Sequence, residues 1–221
     1  MEANQDRPEC VLVVAGGDPI DPALVGMLPP NPLVVAADSG LDQALRLGLE
    51  PSVVVGDMDS VSPIALARAV ARGVTLERHP VDKEATDLEL ALRHVATGTW
   101  DSIIVLGGEG GRLDHLLANA LLLAAEPFAA LPIEWWTGSS VVTVAGARHP
   151  VRRRCAPDET VSLIAVGGPA SGVTTSGLRW ALEAATLPAG STRGISNTTT
   201  AYRFTVSTTS GVLLVVHERM P

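Results

Sequence analysis

Leu33-Val34-Val35-Ala36-Ala37-Asp38-Ser39-Gly40-Leu41-Asp42-Gln43-Ala44-Leu45-Arg46-Leu47-Gly48 holds one strand-to-helix unit. Leu33 to Ala37 is a short valine-rich run of strand length. Asp38-Ser39-Gly40 then offers an N-cap for a helix through Leu47, and Gly48 sits where a helix C-terminus takes a left-handed residue. Asp38 and Ser39 also follow a strand, the place where a nucleotide meets an α/β sheet. Both uses stay open.

The unit recurs on either side. Val11 to Ala15, Val53 to Val55, Val74 to Glu77, Ile103 to Leu106 and Ile133 to Trp136 are further strand-like runs separated by helical patterns. Asp21-Pro22 and Ser62-Pro63 place an N-cap before a first-turn proline, and Gly73 marks a second helix end. The alternation predicts an α/β domain over residues 1–137 with a mostly parallel, Rossmann-like sheet. After Gly138 the composition turns to Thr, Ser, Val and Gly at strand-length intervals, so residues 138–221 are expected to form a smaller all-β domain. Its strands are read at Val141 to Ala145, Thr160 to Val166, Tyr202 to Ser207 and Val212 to His217. Trp180 to Ala185 suits a helix and a β edge equally.

With 221 residues the chain needs no covalent staple, and 46% hydrophobic against 18% charged residues is a globular composition. A formal charge of −8 argues against nucleic acid or anionic lipid as partners. The one basic run, Arg152 to Arg154, reads as a solvated strand or loop face. Cys10 and Cys155 have no metal-ligand spacing and form no disulfide framework, and Met1 to Glu9 lacks the order of a signal peptide. A cytoplasmic protein is expected. Leu116 to Ala125 is apolar nearly all round but too short to cross a bilayer, so it reads as a buried helix.

Three acidic, glycine-flanked segments lie on successive connections: Gly56-Asp57-Met58-Asp59-Ser60, Asp82-Lys83-Glu84-Ala85-Thr86-Asp87, and Gly107-Gly108-Glu109-Gly110-Gly111-Arg112-Leu113-Asp114-His115. Asp57 and Asp59, two apart, project to one side of an extended backbone and suit a hard cation such as Mg²⁺. Taken alone, the segment is equally a turn whose side chains cap amides. Thr86 and Glu89 read as a capping box, with Asp87 in the first turn. Lys83 is a point-charge partner for phosphate. The paired glycines around Glu109 allow close backbone approach to an anion, and Arg112 adds a forked contact. The loop is neither a Walker loop nor a dinucleotide fingerprint. His115 and Asn119 lie one turn apart on the helix that follows, where a polar group needs a partner.

In this order the segments resemble the thiamine pyrophosphokinase (thiamine diphosphokinase) family, whose pattern has an Asp after the second strand, Gly-Asp-x-Asp-Ser, Asp-Lys-x-x-Thr-Asp and Gly-Gly-x-Gly-Gly-Arg-x-Asp-His. Gly177-Leu178-Arg179-Trp180 and Gly194-Ile195-Ser196-Asn197 match its later segments. The resemblance implies an ATP-binding α/β domain, a thiamine-binding β-sandwich, and a homodimer whose thiamine sites draw on both chains. It implies transfer of the β,γ-pyrophosphoryl group of ATP to the thiamine hydroxyl, with AMP leaving. On it, Asp57, Asp59 and Asp87 form the metal and phosphate centre, and Lys83 and Arg112 neutralise the transferring group. Asp38, Ser39, Gly56, Ser60, Thr86, Gly107 and Gly108 fall on the ATP side. Asp114, with His115 and Asn119, falls near the thiamine hydroxyl, and Trp180 packs on the pyrimidine beside Ser196 and Asn197. Met58, Ser39, Gly194 and Thr198 depart from common family residues, which affects pocket shape. Two other readings remain: a pyrophosphokinase for another heteroaromatic alcohol such as a pterin carbinol, and a nucleotide-sensing module without turnover.

Overall fold

The computed structural model describes residues 9–218; residues 1–8, on which most of the signal-peptide argument rests, lie outside them. The chain divides into two compact units, Met1–Leu116 and Leu117–Pro221, and the division falls inside a helix.

The first unit holds β1 (Cys10–Val14), β2 (Leu33–Ala37), β3 (Val53–Gly56), β4 (Thr75–Arg78) and β5 (Ser102–Leu106). They pair in parallel in the order β4-β3-β2-β1-β5. Parallel neighbours need crossovers, and α1 (Gly40–Arg46), α2 (Pro63–Ala71) and α3 (Asp87–Ala96) occupy them in turn. Val11 to Val14 are wholly buried, as are Ile103, Val105 and Leu106, because strands covered on both faces must be apolar throughout. The order runs outward from β1 to β4 and then returns to β1's other side with β5. That reversal opens a crevice beside the ends of β1 and β5.

The helix ends follow the predicted chemistry. Ser62 Oγ accepts from the Ala65 amide (3.2 Å) and Thr86 Oγ1 from that of Glu89 (3.3 Å). Gly48 and Gly73 each take φ 74°. The Glu89 carboxylate turns to Arg93 (2.6 Å). Asp21-Pro22 opens a 3₁₀ turn, Pro22–Met27.

Edge strand β4 is protected by charge. Glu77 meets His79 Nε2 (3.0 Å) and His94 Nδ1 (2.6 Å). Burial alone would raise its carboxyl, but the two imidazoles hold it below its usual range.

The second unit holds β6 (Ile133–Trp136), β7 (Ser140–Ala145), β8 (Val151–Arg154), β9 (Thr160–Ser176), β10 (Ala185–Leu187), β11 (Asn197–Thr198), β12 (Arg203–Ser207) and β13 (Ser210–Glu218). Their pairings are antiparallel, in the order β6-β7-β13-β9-β12-β8, with β10 and β11 on β9. The described chain thus combines parallel and antiparallel pairing: α/β followed by β.

β9 runs ten residues past its expected end at Val166. Gly167 and Gly168 take φ 73° and 156°, and the strand bends there instead of stopping, pairing first with β13 and then with β12 and β10. Arg152 to Arg154 lie on β8, where Arg153 pairs with Glu134. Trp180 to Ala185 is not helical.

In the core of this unit Phe204 meets His217 edge-on at 5.1 Å. Glu159 Oε2 bonds His217 Nε2 (2.7 Å) and accepts from the Ala156 amide (3.0 Å). Thr199 Oγ1 donates to Ala156 O (2.6 Å) and accepts from the Glu159 amide (2.9 Å).

One expectation fails. The apolar helix, α4 (Leu113–Leu123), is not buried all round: Asn119 and Leu123 face inward, while Leu113, Leu117 and Leu121 are 68%, 55% and 55% exposed. Spaced i, i+4, i+8, they form one stripe. Among the described residues no helix is long and apolar enough to cross a membrane.

Candidate active site

The carboxylates of Asp38, Asp57 and Asp59 each bring one oxygen within 4.8 Å of the others. Asp38 leaves β2, and Asp57 and Asp59 leave β3. Lys83 comes from the connection between β4 and α3, and Asp87 is the first residue of α3. Lys83 Nζ bonds Asp57 and lies 3.0 Å from Asp87 Oδ1. Gly56 is the spacer at the centre, since a Cβ there would stand 2.8 Å from Asp87 Oδ1 and 3.0 Å from Asp38 Cβ.

The expectation that Asp57 and Asp59 converge through extended backbone is not met. Met58 takes φ 67° and buries its side chain among Leu41, Val61, Ala65 and Ala69. Burial of that thioether turns the flanking carboxylates together. The turn reading holds as well: the Asp59 amide donates to Asp57 Oδ1 (3.1 Å) and Ser60 Oγ to Asp59 Oδ1 (2.8 Å).

Asp38, also left-handed at φ 46°, does not cap α1; Ser39 occupies the N-cap, without a side-chain capping bond. The Asp38 carboxyl is 5% exposed and its Oδ1 has no hydrogen-bond partner. Burial raises its pKa, and Asp87, Asp57 and Asp59 push the same way. The hydrogen bond from Lys83 is the chief cause that lowers Asp57. For Lys83, burial acts downward, but its bonds to Asp57 and Asp87 outweigh it and leave the ammonium raised. A buried carboxylate oxygen with no donor costs free energy, and a hard cation on these oxygens would remove that cost. The donor set therefore fits a divalent cation of the Mg²⁺ type.

A cavity of about 320 Å³ opens beside the cluster, lined by Gly16, Gly17, Ser39, Arg46, Asp59 and Ser60 among others. The Gly16 to Ile20 loop was not anticipated. Gly16-Gly17 follows a strand, which is the signal that singled out Gly107-Gly108. The two loops mesh: the Gly108 amide donates to Gly16 O (2.7 Å) and that of Asp18 to Glu109 O (2.9 Å). Gly107, Gly108, Gly110 and Gly111 take φ between 65° and 81°, and a Cβ on Gly110 would overlap the Asp18 carboxylate. Gln43 on α1 braces this arrangement, donating through Nε2 to Gly17 O and Asp18 O (both 3.1 Å). Nothing in the sequence distinguishes it from other buried polar residues.

Arg112 forks onto Asp114, Nε to Oδ1 at 3.1 Å and Nη2 to Oδ2 at 2.5 Å. That bond holds the Asp114 carboxyl down at about 2. His115 is exposed and Asn119 buried. Thr86 Oγ1 is engaged in capping α3.

In the second unit Trp180 is 59% exposed, and the Arg179 guanidinium lies 5.6 Å from its ring centroid. Asn197 faces the Trp180 backbone: Nδ2 donates to Trp180 O (2.8 Å), and Oδ1 accepts from the Trp180 amide (3.1 Å). Ser196 is exposed at φ 57°.

Two family models match the chain, "Thiamin pyrophosphokinase, catalytic domain" over residues 27–133 and "Thiamin pyrophosphokinase, vitamin B1 binding domain" over residues 148–213. The chain belongs to the thiamin pyrophosphokinase family. A thiamine pyrophosphokinase of Bacillus subtilis is 27% identical over 207 residues, covering 93% of this chain and 97% of that protein. The solved structure of a thiamine pyrophosphokinase from the same organism superposes with a TM-score of 0.84 at 25% identity, over 96% of this chain and 100% of that one. The thiamin pyrophosphokinase structure from Geobacillus thermodenitrificans gives 0.81 at 25% identity, over 96% and 98%. The carboxylate cluster, Lys83, Arg112 and Asp114 fall inside the thiamin pyrophosphokinase catalytic match, and Trp180, Ser196 and Asn197 inside the vitamin B1 match. Gly16 to Asp18 lie outside both.

Proposed function

We propose that this chain transfers the β,γ-pyrophosphoryl group of MgATP to the hydroxyl of thiamine, giving thiamine diphosphate and AMP. The observation that carries the reading is the convergence of Asp38, Asp57 and Asp59 beside Lys83 and Asp87 at the ends of parallel strands, in a chain of this family. Asp57, Asp59 and Asp87, with Asp38 against them, would hold Mg²⁺. When bound, the ion would neutralise charge on the polyphosphate and orient it.

Residues 1–137 form the ATP-binding catalytic domain on this reading. Its sheet is Rossmann-like, which the five parallel strands and the reversal beside β1 support. Residues 138–221 form a thiamine-binding β-sandwich and dimerisation domain, supported by the antiparallel pairing throughout. Ser39, Gly56, Ser60, Thr86, Gly107 and Gly108 border the ATP, with the glycine loops presenting backbone to its phosphates. Lys83 and Arg112 contact the transferring group. Asp114, with His115 and Asn119, meets the thiamine hydroxyl. Asp114, once Arg112 releases it, orients the hydroxyl by accepting its hydrogen bond. Arg112 turns from Asp114 to phosphate as the substrates enter. The hydroxyl oxygen then bonds to the β-phosphorus, the bond from that phosphorus to the α,β-bridging oxygen breaks, and AMP leaves with its electron pair while the hydroxyl proton passes to solvent. The exposed Trp180 ring, with Ser196 beside it and its backbone bonded by Asn197, receives the cationic, flat thiamine.

Incubation with ATP, Mg²⁺ and thiamine is expected to release AMP and form thiamine diphosphate, and chelation of the metal to stop both. ADP as the only nucleotide product, or no turnover, would overturn the assignment. Gln43→Ala should raise KM for ATP about tenfold by leaving two loop carbonyls without a donor, and Gln43→Glu should do the same because it cannot restore them. Steady-state kinetics decides this, and a Glu variant that behaves as wild type counts against the brace.

The leucine stripe on α4 supports a homodimer, since a row of exposed leucines is a contact surface wanting an apolar partner. Leu117→Asp is expected to weaken self-association about thirtyfold or more, read as a shift from dimer to monomer in sedimentation equilibrium. Cys10 and Cys155 are not joined in a disulfide, which supports a reducing, cytoplasmic location.

A further inference from the structure

Trp180 stands between two anchors. Leu178 and Leu182 are buried in the core of the second unit, and the Leu182 amide donates to Thr175 Oγ1 (2.9 Å) while Thr175 donates to Leu182 O. On the other side the Arg179 amide donates to Thr198 O (2.8 Å). The Trp180 backbone itself bonds the Asn197 side chain. Oδ1 accepts from the Trp180 amide (3.1 Å) and from the Thr198 amide (2.9 Å), and Nδ2 donates to Trp180 O (2.8 Å).

Two residues of an antiparallel pair exchange both N–H···O bonds in this way. Here one carboxamide does so from a side chain, so it stands in for a strand neighbour. Both lone pairs of Oδ1 are filled, and Asn197 is only 6% exposed. The residue has neither an acceptor nor an open face for a ligand. The Arg179 guanidinium lies over the indole, so a flat cation is best received on the opposite face.

We propose that Asn197 is a positioning residue, which fixes the Trp180 backbone so that the indole stands out as a rigid, one-faced wall for the cationic heteroaromatic substrate, and that it does not touch that substrate. This rests on the reading that Trp180 meets thiamine. Without the clamp, the loop loses its fixed conformation and binding has to restore it.

A double-mutant cycle tests this. Asn197→Asp keeps the acceptor and the shape but removes the donor to Trp180 O. It is expected to raise KM for thiamine about tenfold, with kcat and KM for ATP changed by less than about twofold, since the loss is one of preorganisation. In a Trp180→Ala background the same change should alter KM by less than about twofold, because nothing remains for it to position. An equal loss in both backgrounds marks direct contact and overturns the proposal.

Hydrogen exchange of the ligand-free protein gives a readout that needs no activity. The Trp180 amide should exchange faster in Asn197→Asp while β9 and β13 amides do not, and unchanged protection at Trp180 also overturns the proposal. If the Asp variant does not fold, Asn197→Ser enters the same cycle and the same exchange measurement. Absence of thiamine turnover in the wild type would count against the functional reading, and the Trp180 amide would still decide whether the clamp exists.

Discussion

Asp57→Asn should lower kcat about a thousandfold at saturating ATP, Mg²⁺ and thiamine while leaving the fold intact. The magnitude is that of removing one preorganised charge from a site of phosphoryl chemistry. Asp57 stands at the junction of two groups: it shares the three-carboxylate cluster and it bonds Lys83. The asparagine removes a charge from the cluster proposed to hold the metal and loosens the ammonium together. Stability should not follow activity down. Lys83 keeps Asp87 at 3.0 Å, and one negative charge fewer relieves the repulsion that acts on buried Asp38. AMP release and a thermal melt on the same preparation check both halves. Residual activity above about a tenth of wild type would remove Asp57 from the centre of the site.

Glu159→Ala is the substitution expected to cost the most stability. Glu159 and His217 are 8% and 2% exposed and bond at 2.7 Å. The same carboxylate oxygen accepts from the Ala156 amide, so truncation removes a bond from the buried His217 ring and one from a backbone amide nearer the surface. Losing a buried hydrogen-bond partner costs about 2 kcal/mol, or about 4–8 °C in Tm for a chain of this size. Calorimetry measures it, and a fall under about 2 °C would show that the pair relaxes to water. Glu159→Gln, which retains an acceptor, should lose less.

Much of the first unit is legible because parallel strands carry their signal locally. Leu33 to Ala37 is a strand at the residues where the valine-rich run sits, and Gly48 and Gly73 end helices where left-handed residues are needed. The second unit is harder, because glycine has two meanings. Gly167-Gly168 reads as the end of a strand, yet in a long antiparallel strand it is a bend. The apolar helix illustrates a different limit. Hydrophobicity records that a face must be covered, without recording by what, so Leu117 and Leu121 read as core although the chain itself leaves them exposed.

The acidic segments announce phosphate chemistry through their residue types. Their assembly depends on Met58, whose left-handed turn is made favourable by a pocket that Leu41 of α1 completes together with Val61, Ala65 and Ala69. Asp38, open between cap and ligand on sequence grounds, joins the cluster because Ser39 takes the cap position. Gln43 carries no local signal at all, and Asn197 is marked by the family resemblance alone, which assigns it to the substrate and not to the Trp180 backbone. Each acts through backbone groups of a loop far along the chain.

The place of β1 has a consequence for how the protein is made. Cys10–Val14 lies inside its sheet, between β2 and β5, with Cys10 opposite Ser102. On a ribosome this wholly apolar strand emerges long before its second neighbour, and at ordinary elongation rates it waits roughly 5–20 s for Leu106 to be synthesised. During that interval Val11 to Val14 present an open edge with no charge to blunt it, the kind of template on which nascent chains pair with one another. Yield of the folded protein should therefore depend on translation speed and on chaperones that shield that edge.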